Sequence, residues 1–174
     1  MTIIIGGGNH PMPDKPTASK VEYGVTPTHI MASMTGLDFV RGIFEGKLPA
    51  PPIMQNVEPF DSTAEHGHVV FHSVPGFRHY NPIGSVHGGY AAILLDSAMG
   101  LAVHTALPAG TGYTTLETKG NFTRAITPTT GRVRAEGKVV AHGRKVITAE
   151  GWLRTADGTL LAHGTSTLLV LPGG

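Results

Sequence analysis

Residues 81–100 read NPIGSVHGGYAAILLDSAMG, and this stretch decides the fold. Two glycines, Gly88 and Gly89, open a run that stays apolar on nearly every side from Tyr90 to Leu107. An apolar run without a polar face belongs to a helix enclosed by other structure, so a buried helix is predicted from His87 to about Thr105. One carboxylate, Asp96, sits in its middle. The run approaches membrane-spanning length, but a central Asp costs roughly 2.5–3.5 kcal/mol on insertion scales, and His104 adds to that cost. No membrane partner is expected. A carboxylate buried without a partner is too costly to be idle, which makes Asp96 the first candidate functional residue.

Strands follow the helix. Runs at about 112–124, 131–141, 144–155 and 159–171 are joined by PTTG, HG and DG, and the Asp157-Gly158 pair is a strong hairpin signal. In RVRAEGKVV, Val133, Ala135, Gly137 and Val139 alternate with Arg132, Arg134, Glu136 and Lys138, the pattern of a half-buried antiparallel strand. Ahead of the helix, strands are predicted at 53–61 and 66–75. The second would set Val69 and Phe71 against a face of His66, His68, Val70 and His72. Leu37, Val40, Ile43 and Phe44 recur at helical spacing within Thr35–Glu45, and LPAPP then ends that short helix. Residues 1–28, rich in Gly, Pro, Thr and Lys, read as a flexible arm. One long enclosed helix followed by an antiparallel meander is an α+β layout, with the sheet curled around the helix.

Composition narrows the function. The chain has 174 residues, enough for one domain with a real core. Only 14% of residues are charged, against about 25% in a typical domain, so a partner subunit is expected to cover part of the surface. The net charge is +1, and the 13 Lys and Arg are scattered. No basic stripe of the kind that holds nucleic acid results. There is no cysteine, hence no disulfide, thiolate site or Cys nucleophile. The first residues lack the basic and apolar regions of a signal peptide, so a cytoplasmic location is expected. GGGN near the start lacks the flanking strand, helix and Lys-Ser/Thr of a phosphate loop. His66, His68, His72, His79 and His87 cluster in sequence, but no carboxylate stands at ligand spacing beside them, and no metal is expected.

The run N-x-x-G-x-x-H-G-G from Asn81 to Gly89, followed by an apolar helix bearing an acid and flanked by strands, resembles a known family. It is similar to the hotdog-fold acyl-CoA thioesterases of the phenylacetate-degradation (PaaI-like) type over about residues 35–171. The resemblance implies an antiparallel sheet wrapped around one long central helix, with a short N-terminal covering helix. The thioesterase domain would occupy residues 29–174. It further implies hydrolysis of R–CO–S–CoA to a carboxylic acid and CoA, without metal or cofactor, in a homodimer or homotetramer. Carried over residue by residue, Gly88 is the carbonyl-polarising glycine and Asp96 the catalytic acid. Asn81 would orient substrate or water, His87 would shape the loop, and Thr115 would place a hydroxyl near the attacking water. Gly89 and Arg144 are candidate substrate contacts, the latter, with Lys145, for the CoA phosphates. Some relatives place Glu at the Asp96 position and a hydroxyl at Gly100, so nucleophile and general base both stay open for Asp96.

The chemistry fits. A helix start exposes backbone N–H groups and the positive dipole end. Thioester hydrolysis develops negative charge on the carbonyl oxygen, and one oxyanion donor is worth roughly 2.7–4 kcal/mol. Asp96 lies nine residues beyond His87, about 13 Å along a helix axis. One subunit cannot bring both groups to one carbonyl, whereas two such helices packed antiparallel across a two-fold can. A hotdog hydratase or dehydratase, and a module that binds acyl-CoA without turnover, are the alternatives.

Overall fold

The computed structural model describes residues 21–171. Residues 1–20 of the expected arm, including GGGN, lie outside the described residues, as do 172–174. Residues 21–28 of that segment are described. Ala50 N–H donates to Glu22 O and Gly24 N–H to Ala50 O, so residues 22–24 are already tied to the domain. A short helix follows, α1 (Thr28–Ala32), and then α2 (Gly36–Phe44), whose Thr35 cap accepts from Asp38 N–H at 3.2 Å. Phe39 and Val40 on α2 are buried, as a covering helix requires.

Where a strand was expected at 53–61, Pro52–Asn56 forms a 3₁₀ turn. The physical reason is local. Proline at the first helical position has a suitable fixed φ and an N–H that would go unpaired anyway. The first strand, β1 (Phe60–Glu65), therefore starts late. It pairs with β2 (His68–Ser73) through a tight turn in which Gly67 takes φ +72°. His66 falls in that turn, so it does not share the strand face of His68 and His72.

The central helix, α3 (Gly88–Thr105), is followed by β3 (Gly112–Phe122), β4 (Val133–His142), β5 (Val146–Thr155) and β6 (Leu160–Leu171). The six strands form one antiparallel sheet in the order β1-β2-β4-β5-β6-β3. Gly137, Gly151, Gly164 and Gly120 lie side by side across β4, β5, β6 and β3. They form the trough in which α3 rests. A methyl group added at Gly137 would stand 2.1 Å from Ala98 O, so only glycine permits this approach. Leu94, Leu95, Met99 and Val103 fill the space between α3 and the sheet and are fully buried. This is the hotdog architecture, an α+β fold.

Enclosure is incomplete, and here the sequence expectation needs correction. On α3, Gly88, Ala92 and Asp96 are exposed at four-residue spacing, so one stripe of the helix is open in the isolated chain. Asp96 is thus not buried in the core of its own subunit. β3 is an edge strand, exposed over most of its length, with Leu116 and Phe122 uncovered. No described helix is long and apolar enough to cross a membrane.

Candidate active site

The start of α3 is built by His87. Its ring Nδ1 accepts from Gly89 N–H at 2.8 Å, and its carbonyl accepts from Tyr90 N–H. A side chain at Gly89 would meet that ring at 2.9 Å, so this glycine serves the cap. The Gly89 amide is therefore already used and is not a second donor toward a ligand. The Gly88 amide is different. It is exposed, and it has no hydrogen-bond partner among the described residues.

Behind this amide stands a bracket that the sequence does not announce. His79 accepts from Gly76 N–H on Nδ1, which leaves the proton on Nε2 to donate to the Asn56 carbonyl. Its own carbonyl accepts from His87 N–H at 2.8 Å. Its ring lies 4.5 Å from that of Tyr90, whose hydroxyl donates to Ser73 Oγ at 2.7 Å. Ser73 in turn donates to Val57 O. Burial pushes the Tyr90 phenol well above its usual range and lowers the proton affinity of His79. The bracket borders a cavity of about 540 Å³ with Asn56, Arg78, His79, His87 and Ile93 on its walls.

Asp96 lines a second, smaller cavity of about 180 Å³. Its Oδ1 accepts from Thr118 Oγ1 at 2.9 Å. Thr118 touches Ser166 Oγ, 3.1 Å away, and Ser166 donates to Glu117 O. Thr115, the hydroxyl expected beside the acid, lines the same cavity, but Thr118 makes the hydrogen bond. Strict alternation along β3 would put residues 115, 117 and 119 on one face. A bulge at Leu116 changes that parity, and it is Thr115 and Thr118 that stand beside the buried Leu168 and Ser166 of β6. Tyr113, opposite Val170, also reaches this cavity.

Two expected residues are placed elsewhere. The Asn81 amide is spent on its own loop, accepting from Ile83 and Ser85 N–H and donating to Ser85 Oγ, so it holds the 81–85 turn and borders neither cavity. Arg144 is exposed at the tip of the β4–β5 hairpin, outside both cavities. The histidines have structural partners. His68 pairs with Glu136 at 2.8 Å and His72 contacts Asp61 O. No group of three His, Asp or Glu able to hold a metal occurs among the described residues.

Residues 83–162 match the family model of the thioesterase superfamily. Among solved structures, the phenylacetic acid degradation-related protein of Ralstonia eutropha JMP134 is 25% identical, with a TM-score of 0.67, over 75% of this chain and 98% of that one. A thioesterase of Haemophilus influenzae is 22% identical, TM-score 0.63, over 69% and 82%. A Streptococcus mutans UA159 protein solved with acetyl CoA bound is 24% identical, TM-score 0.59, over 65% and 90%. A comparison with curated proteins finds no match to the sequence. The matched residues hold the HGG turn, the whole of α3 and strands β3 to β5; over that segment the chain is similar to the thioesterase superfamily, and with this hotdog framework the match supports thioester hydrolase activity.

Proposed function

We propose that the protein hydrolyses acyl-CoA thioesters at a site shared by two copies of the chain, the Gly88 amide from one and the Asp96 carboxylate from the other. The observation that carries this reading is the open stripe Gly88, Ala92, Asp96 on α3. Ala92 lies midway between the other two. A two-fold axis beside Ala92 brings each Gly88 against the Asp96 of the antiparallel partner helix, and the small residues permit a close approach. The exposed edge of β3, with Leu116 and Phe122, supports the same partner, since an uncovered edge strand is a template for pairing.

In this arrangement the thioester carbonyl oxygen accepts from Gly88 N–H at the positive end of α3. Asp96 stands on the other side of the carbonyl carbon, oriented by Thr118. Attack by the carboxylate itself, or by a water that it deprotonates, gives a tetrahedral oxyanion held by the amide. Collapse expels the CoA thiolate, which is protonated to the thiol, and water supplies the oxygen of the released acid. Of the two cavities, the larger offers Arg78, His79 and Asn56 to a polar pantetheine arm, and the smaller offers Ile53, Met54 and Leu101 beside Asp96.

The test is subunit mixing with free-thiol release from acyl-CoA as the readout. Asp96→Asn chains are mixed with Gly88→Pro chains. Proline suits this first helical position, and His87 already has the extended backbone, φ −64° and ψ 138°, that a following proline demands. The change removes the N–H and leaves the helix intact. Each mixed dimer then regains one site with both groups, and activity should rise well above either parent. Activity that stays at parental level after verified subunit exchange rejects the shared site.

A further inference from the structure

The small cavity beside Asp96 ends at an aromatic wall. Ile53 and Met54 of the 3₁₀ turn form one side, and Leu101 and Gly100 of α3 form the other. Ser97 Oγ contacts Met54 Sδ at 3.5 Å, which ties the turn to the helix. Gly100 lies one helical turn beyond Asp96, on the same side of α3. The space that its side chain would take is filled by Tyr113. A methyl group on Gly100 would stand 2.8 Å from the Tyr113 hydroxyl. The tyrosine is held there edge-on to the His104 ring, 5.5 Å between centroids. Its hydroxyl has no hydrogen-bond partner among the described residues. The ring therefore stands on the cavity wall one helical turn beyond the acid.

The side chains on the two walls decide what enters each cavity. A pantetheine arm carries two amides and leads to phosphates, which suits the larger cavity with Arg78 and Asn56. An acyl chain suits Ile53, Met54 and Leu101. The small cavity, at about 180 Å³, lies below the roughly 300 Å³ at which drug-sized sites begin. It has room for about six groups of water size, at about 30 Å³ each.

We propose, resting on the thioesterase reading above, that Tyr113 seated over the bare Gly100 is the end wall of the acyl pocket and limits the substrate to acyl groups of about six non-hydrogen atoms. The pocket belongs to the subunit that supplies Asp96, so the acyl group and the CoA arm lie on different copies of the chain.

The experiment is kcat/KM for straight-chain acyl-CoAs from acetyl to dodecanoyl, with wild type and three variants whose melting temperatures are recorded. Wild type should peak near hexanoyl and fall at least about tenfold by dodecanoyl. Tyr113→Ala removes the wall and should move the maximum several carbons longer. Gly100→Ala pushes the hydroxyl into the pocket and should move it shorter. It also exchanges a helix-interior glycine for the best helix former, so this variant should fold even where Tyr113→Ala does not. Tyr113→Phe keeps the ring, and its maximum should stay at the wild-type chain length whatever the rate. A folded Gly100→Ala or Tyr113→Ala protein with the wild-type length profile overturns the wall. Absence of hydrolysis by wild type across the whole series is a different result: it overturns the thioesterase reading, and the wall with it.

Discussion

The two faces of α3 are made to opposite rules. The face toward the sheet carries Leu94, Leu95, Met99 and Val103, fully buried against a row of glycines in four strands. The other carries Gly88, Ala92 and Asp96, small or charged and uncovered in the isolated chain. One helix thus forms the core of its own subunit and, in the proposed arrangement, the floor of a site that a second copy completes. The sheet repeats the contrast. β4 and β5 lie inside it with neighbours on both sides, whereas β3 ends it with exposed apolar side chains. If the proposed site is right, stability belongs to the covered face and chemistry to the open one, and mutation should separate the two.

The largest effect should come from the open face. Asp96→Asn is predicted to lower kcat roughly 10²- to 10⁴-fold. Because Asp96 is exposed, the melting temperature of the isolated chain should move by only about 1–2 °C, about 0.5 kcal/mol. A large loss of stability with proportionate loss of activity would make Asp96 a structural residue and erase the contrast. The covered face should give the reverse result. Gly137→Ala presses its methyl onto Ala98 O and Met99 N, backbone atoms that cannot swing aside. A cost of about 3 kcal/mol or more is expected, a fall of roughly 6–12 °C in melting temperature for a chain of this size. The protein that remains folded should keep its kcat. An unchanged melting temperature would show that the trough is looser than its glycines suggest.

A smaller effect should separate orientation from chemistry within the open face. Thr118→Val removes the hydroxyl that donates to Asp96. A fall in kcat of about tenfold is predicted, about 1.4 kcal/mol, with KM little changed. Thr118→Ser should restore most of the rate, since it keeps the donor. If Thr115→Val instead carries the loss and Thr118→Val does not, the hydroxyl beside the acid has been misassigned.

The covered half of this molecule was legible because burial leaves a periodic signature. Val133, Ala135 and Gly137 alternate, and α3 is apolar nearly all round, so the helix, the meander and the hotdog resemblance could be read from residue order. Three things escaped that reading, each for its own reason. The 3₁₀ turn at Pro52 stands where a strand is expected because apolar content alone does not distinguish the two, and a proline pair that ends one helix also starts the next turn. Thr118 was hidden by one bulged residue, which alters every facing after Leu116 and which composition does not mark. His79 clusters in sequence with four other histidines, but its contacts are to two backbone groups, Gly76 N–H and Asn56 C=O, that no side-chain pattern reports. Asn81 fits the family motif, yet its amide is consumed by the turn that it builds. Sequence patterns report which side chains are buried, and hydrogen bonds to the backbone lie below their resolution.

The bracket at His79 gives the smallest effect, and pH reveals it. In the folded chain this histidine must be neutral, because Nδ1 accepts from Gly76 N–H while Nε2 donates to Asn56 O. Burial lowers its proton affinity, and the nearby Arg78 lowers it further, partly opposed by the hydrogen bond to Asn56 and by Glu58. His72 and His104 are lowered too, both chiefly by burial. In the unfolded chain all three regain the ordinary histidine value of about 6.5. Above that pH both states are neutral and the stability is fully present. As the pH falls below about 6.5 the unfolded chain binds protons first, and stability is lost down to the lowered folded values. The melting temperature should therefore drop by a few degrees between about pH 7.5 and pH 5.5. His79→Gln should melt lower than wild type at the higher pH, having lost the bracket, yet lose less on acidification, with His72 and His104 carrying the remainder. Equal slopes for the two proteins would remove His79 from the acid response and leave it as a packing residue beneath Tyr90. A shallower slope with an unchanged neutral melting temperature would mean that the proton matters and the two hydrogen bonds do not.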